Sequence, residues 1–159
     1  MKYAHTNIVC RDWKKLSAFY VDVFDCEIVP PIRKQSGDWL AQGTGVKDAN
    51  LEGVHLLLPG YGRQGPTLEI FQYLEYEEQP DLVPNARGFG HIAFEVDDVE
   101  EILAALLKAG GSKLGSPTSR HVEGVGKLTF VYCRDPEGNT IELQNWKRTM
   151  DRDYEETPS

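Results

Sequence analysis

The chain has 159 residues, 40% of them hydrophobic and 26% charged, with a formal net charge of −8 at pH 7. That length suits one compact domain, or two small halves sharing a core. The acidic balance argues against a general nucleic-acid or anionic-membrane binder, whose affinity would need clustered Lys and Arg. It leaves room for an anionic small substrate, because a local site can oppose the global sign. The longest apolar stretches, such as Val54 to Pro59, are far too short to span a bilayer. Met1-Lys2-Tyr3-Ala4-His5 lacks the apolar core of a secretory signal, so a cytoplasmic location is expected. Cys10, Cys26 and Cys133 are odd in number, widely spaced and outside any CxxC pair. They are read as reduced thiols buried as small hydrophobes.

The segment from Ala4 to Cys10 alternates, which predicts a short strand with Thr6, Ile8 and Cys10 on one face and His5, Asn7 and Val9 on the other. From Asp12 to Phe24, the residues Trp13, Leu16, Tyr20, Val23 and Phe24 recur at three- and four-residue steps. This is an amphipathic helix with Asp12 placed as N-cap. Strand-like segments follow at Cys26 to Arg33, Leu51 to Leu58 and Pro66 to Leu74. The intervening Gly37 to Asn50 reads as a short helix around Trp39 to Gln42 and then a Gly-rich turn. The third strand separates Leu68 and Ile70 from Glu69, Phe71 and Tyr73. A polar stretch from Glu75 to Gly88, with Pro80 and Pro84, reads as a linker.

The pattern then repeats. Gly90 to Val96 alternates as a strand, with Ile92, Phe94 and Val96 opposite His91, Ala93 and Glu95. Asp98 to Ala109 follows as a helix, opened by Asp98 and Glu101 in a capping-box pattern and stopped by Gly110-Gly111. Strands come next at Ser112 to Leu114 with its continuation, at Lys127 to Arg134 and at Asn139 to Trp146. Asp135-Pro136-Glu137-Gly138-Asn139 supplies the turn between the last two. The whole reads as an α+β fold of two βαβββ modules, over 1–74 and 89–146, with a linker at 75–88 and a polar tail at 147–159.

His5 and Glu69 in the first half, and His91 and Glu142 in the second, all lie opposite the aliphatic strand face that would pack on a helix. A strongly curved sheet would bring these faces together in a cavity. Two imidazoles and two carboxylates suit a divalent ion of the zinc, nickel, cobalt, manganese or iron class. Four protein ligands would leave two octahedral positions for water or a bidentate substrate. Phe71, Tyr73 and Trp146, on the same faces, are expected to line the cavity. Arg120 and Lys127 lie where a substrate anion could be held, though solvated surface charge is the simpler reading. His55 is read as a strand or surface residue and His121 as a loop residue, because neither shares the repeated position.

Three stretches resemble the vicinal oxygen chelate superfamily: Phe19-Tyr20-Val21-Asp22-Val23-Phe24, Gly90-His91-Ile92-Ala93-Phe94-Glu95-Val96, and Asp135 through Glu142. That group includes glyoxalase I, methylmalonyl-CoA epimerase, fosfomycin-resistance proteins, extradiol dioxygenases and bleomycin-binding proteins. The resemblance implies paired modules forming a cupped mixed sheet with helices outside, and metal ligands at His5, Glu69, His91 and Glu142. It implies a metal-dependent lyase or isomerase acting on a small carbonyl substrate through an enolate, with Glu142 as proton shuttle and Glu69 as second candidate. Nickel, cobalt, zinc or manganese is expected ahead of iron, and a homodimer with the site in one chain or across two. A ring-cleaving dioxygenase, or a binding or resistance protein without turnover, is the alternative. Where glyoxalase I has an Arg for the glutathione carboxylate this chain has Val9, and where it has an Asn this chain has Tyr73. No Glu stands inside Gly37 to Asn50 to match the second epimerase base.

Overall fold

The computed structural model describes residues 1–80 and 83–148; the tail expected at 147–159 lies outside the described residues from 149 onward. The elements run β1 (His5–Val9), α1 (Trp13–Phe24), β2 (Glu27–Ser36), α2 (Asp38–Thr44), β3 (Asn50–Leu57) and β4 (Thr67–Tyr73). They continue as β5 (Ile92–Glu95), α3 (Val99–Lys108), β6 (Ser112–Lys113), β7 (Thr118–Val122), β8 (Gly126–Arg134) and β9 (Thr140–Arg148). The expected continuation of β6 is thus a separate strand, β7, and His121 stands in it rather than in a loop. β9 runs two residues past Trp146, and His91 lies just ahead of β5.

Both long helices start where a carboxylate can satisfy their free N–H groups. Asp12 accepts from the Lys14 and Lys15 amides at 3.1 Å each, and Asp98 accepts from Glu100 and Glu101 at 2.9 and 3.0 Å. α1 ends at Asp25, held at φ 54, and α3 is followed by Gly110 at φ 97. A glycine takes up that left-handed turn without the steric penalty a Cβ brings.

The strands form two sheets, ordered β1-β4-β3-β2 and β5-β9-β8-β6, with β7 also paired to β8. In each, the first strand lies parallel to the last, and the remaining ladders are antiparallel. The register of β2 on β3 jumps from Val29–His55 to Arg33–Gly53, four steps against two. The bulge falls at Pro30 and Pro31, which have no N–H to offer a ladder.

The aliphatic faces of both sheets are covered by α1 and α3, and the two helices also touch each other. One core results, in which Leu16, Tyr20, Ile70, Leu106, Ile141 and Leu143 are at most 1% exposed. Phe24 stacks on Phe94 with centroids 4.1 Å apart, and the Tyr20 hydroxyl donates to Asp135 Oδ2 at 2.9 Å. The first half therefore reaches the second through α1. Cys10, Cys26 and Cys133 are free and buried, and burial pushes each thiol up to about 12.

With the aliphatic faces committed to that core, the opposite faces are left open. His5, Asn7 and Val9 are exposed on β1, as are His91, Ala93 and Glu95 at β5. β1 and β5 are also edge strands, each with one side of its backbone unpaired in its sheet.

Candidate metal centre

The open face of the first sheet is organised around Glu69. In the parallel ladder, β4 places Glu69 beside Asn7, and His5 reaches it from two positions earlier on β1. His5 Nδ1 lies 3.3 Å from Glu69 Oε1. β3 places His55 directly across the antiparallel ladder, with Nε2 3.2 Å from the same Oε1. Glu69 is only 8% exposed. A carboxylate so shielded needs charge or hydrogen-bonding partners, and the two imidazoles stand where those partners must be. Burial holds the His55 imidazole below its usual range; Glu69 opposes that shift, while Arg33 and His5 add to it.

The second sheet repeats the arrangement with one change. His91 Nε2 lies 2.9 Å from Glu142 Oε2. Tyr132 on β8 faces Glu142, at the place His55 occupies in the first half, and its ring lies 4.7 Å from that of His91.

The remaining candidates fall around these pairs. The Phe71 ring is 5.7 Å from His55, and Phe71 and Tyr73 pack on Leu40, Ala49 and Leu51. α2 and the turn after it thus cover one end of the first open face. Trp146 is half-buried, donates from Nε1 to Gln144 Oε1 at 3.2 Å, and carries the Arg148 guanidinium 5.7 Å from its ring. Arg120 and Lys127 are both exposed, with Arg120 paired to Leu128 and Lys127 to His121. A cleft of about 450 Å³ opens between β1 and β5, lined by Thr6, Leu68, Ile92, Phe94 and the Pro59–Tyr61 turn, not by the His–Glu pairs.

His55 is the residue that the repeated spacing does not reveal. The signal for it is the β3–β4 ladder itself. Val54 and Leu56 face the core, so His55 faces the open side, and the antiparallel register that pairs Leu57 with Thr67 sets it opposite Glu69.

The donor chemistry fits a divalent ion: imidazole nitrogen and carboxylate oxygen, paired twice on equivalent strands. Among the described residues of one chain, no group of three or more His, Cys, Asp or Glu is arranged to hold a metal. The four candidate ligands stand as two His–Glu pairs, one on the open face of each sheet.

A family model described as the Glyoxalase/Bleomycin resistance protein/Dioxygenase superfamily matches residues 2–143. A lactoylglutathione lyase of Schizosaccharomyces pombe is 27% identical over 164 residues, covering 93% of this chain and 48% of that protein. The chain therefore spans about half the length of that relative. A probable lactoylglutathione lyase of Synechocystis is 26% identical over 140 residues, covering 87% of this chain and 91% of that one. The crystal structure of a glyoxalase family protein from Bacillus cereus is similar with a TM-score of 0.78 at 19% identity, over 92% of this chain and 94% of that chain.

Proposed function

Because the chain belongs to the Glyoxalase/Bleomycin resistance protein/Dioxygenase superfamily, we propose that it is a divalent-metal-dependent lyase or isomerase acting on a small carbonyl substrate. The observation that carries this reading is the doubled contact, His5–Glu69 at 3.3 Å and His91–Glu142 at 2.9 Å, at matching places in the two modules. The relatives named lactoylglutathione lyase support the lyase side of it.

The protein works as a homodimer in this reading. Its two half-sites face away from the common core, and β1 and β5 each have a free edge on which a second copy can pair. One chain's His5 and Glu69 then complete a ligand set with the other's His91 and Glu142. When bound, a divalent ion supplies electrostatic stabilisation for the negative charge that develops on the substrate oxygens. The Glu142 carboxylate removes the proton from the carbon beside the carbonyl and returns it. It is contacted by one imidazole, whereas Glu69 is contacted by two and is better held. Phe71, Tyr73 and Trp146 wall the substrate off from water. Val9 and Tyr73 offer no cation or amide for a glutathione carboxylate, so the substrate is a small carbonyl compound without a glutathione requirement.

The test is metal content and oligomeric state of protein purified without added metal, followed by turnover of small α-carbonyl substrates with and without glutathione. Near-stoichiometric nickel, cobalt, zinc or manganese with turnover supports the reading. Air-sensitive iron with oxygen uptake would move it to a ring-cleaving dioxygenase. Tight binding of small molecules with no metal would make it a binding or resistance protein.

A further inference from the structure

We propose that His55 is a positioning residue for Glu69, so that the first half-site is a three-residue unit in which His55 fixes which carboxylate oxygen remains for a cation. The inference rests on the reading of Glu69 as a metal ligand and deepens it.

Geometry supplies the first argument. His55 Nε2 and His5 Nδ1 lie 3.2 and 3.3 Å from one and the same oxygen, Oε1. Oε2 is therefore the oxygen farther from both imidazoles, and Glu69 is set to offer a cation that atom. A carboxylate with both oxygens unheld can rotate or bind through both, which relaxes the choice of ion and of geometry.

Rigidity supplies the second. His55 sits mid-strand between Val54 and Leu56, at 1% and 0% exposure. Its ring is flanked by Phe71 at 5.7 Å. Phe71 in turn lies over Gly53, where an added Cβ would meet Phe71 Cδ1 at 2.6 Å and the Ile70 carbonyl oxygen at 2.0 Å. The imidazole is thus held by packed neighbours, as an orienting group must be.

The repeat supplies the third. The matching residue of the second half is Tyr132, whose ring lies against His91. A strand position that merely needed a half-buried ring would be served by tyrosine in both halves; at this ladder position an imidazole faces Glu69 where a phenol faces Glu142.

The experiment uses the full chain, stripped of metal and titrated with cobalt(II) against a chromogenic chelator. His55→Phe keeps the ring and its packing on Phe71 but has no nitrogen. His55→Gln returns an amide N–H near the place of Nε2, and His55→Asn has the same amide on a shorter arm. Removing an outer partner of a metal ligand typically weakens metal binding by about 10- to 100-fold. His55→Phe and His55→Asn are expected to lose at least roughly tenfold in cobalt affinity and to change the visible cobalt spectrum. His55→Gln should recover most of both. Metal-free melting temperatures should match wild type across the set. Wild-type affinity in His55→Phe overturns the inference, and if that variant folds poorly, equal affinities for the Gln and Asn variants overturn it instead. A wild-type chain that takes up no divalent ion sinks the metal reading and this inference together. Normal wild-type uptake with indifferent His55 variants sinks this inference alone.

Discussion

In the first module Glu69 faces His55, Phe71 faces Gly53 and Tyr73 faces Leu51; in the second Glu142 faces Tyr132, Gln144 faces Phe130 and Trp146 faces Leu128. The outer pair is equivalent in the two halves, an aromatic ring opposite a leucine. The middle pair exchanges its members: the aromatic ring comes from the last strand in one half and from the strand before it in the other. Ring volume is therefore preserved while its origin is not, which is how packed interiors accept change. The inner pair differs in chemistry, an imidazole against a phenol. A repeated scaffold has thus kept its His–Glu pairs and varied what surrounds them, giving Glu69 two imidazole contacts and Glu142 one.

The largest expected effects test whether the halves are separate at all. Ile70 and Leu143 are buried at equivalent places, each at 0% exposure. Replacing either with Ala should cost about 3 kcal/mol by urea unfolding. Both variants should show one transition, because α1 and α3 share a core. Two resolved transitions would mean that the modules fold independently. Next comes the division of labour between carboxylates. Glu142→Gln should lower kcat by at least about 100-fold, roughly 2.7 kcal/mol, in a protein that still folds and binds metal. Glu69→Gln should chiefly weaken metal affinity. The reverse pattern would exchange their roles.

A smaller effect separates the middle pairs. Gly53→Ala forces a methyl group against the Ile70 carbonyl and Phe71, and should cost about 2 kcal/mol. The same volume is already present in the second half as Phe130. Near-wild-type stability would show that β4 can shift freely away from β3.

The smallest concerns the tie between the halves. Tyr20→Phe removes the hydroxyl that donates to Asp135 and should cost about 1.5 kcal/mol near neutral pH. Burial holds the Asp135 carboxyl above its usual range, and bonds from Asn139 and Tyr20 pull it back down. A carboxyl whose folded pKa is raised contributes stability below its unfolded pKa and loses it as pH rises through the folded one. Losing the hydroxyl raises the folded pKa further. The deficit of Tyr20→Phe should therefore be largest near neutrality and shrink as pH falls into the carboxylate range. Unfolding curves at several pH values would show it, and a deficit independent of pH would remove Asp135 ionisation from the account.

Much of this was legible residue by residue. The helix over Asp12 to Phe24 begins as its cap and apolar spacing require, with Asp12 bonded to two amides. The His–Glu pairs could be read from strand alternation, since residues opposite a buried aliphatic face must share the other one. His55 was not legible this way. Its importance depends on which residue stands across a ladder, and register is set by the length and shape of the 58–66 connection rather than by the strand's own pattern. β7 escaped for a related reason. Thr118–Val122 is almost wholly exposed, so it carries no hydrophobic alternation and is defined only by its bonds to β8.

By itself the sequence determined the elements other than β7, the repeat and the face on which each candidate ligand stands, because those follow from local periodicity and capping. Tertiary structure alone decided that α1 and α3 meet in one core, that two sheets form, and that the His–Glu faces are left open on the sides opposite that core. Such facts depend on long-range packing between residues as distant as Phe24 and Phe94, or Tyr20 and Asp135. No local pattern encodes which aromatic ring, seventy or more residues away, will fill a given space.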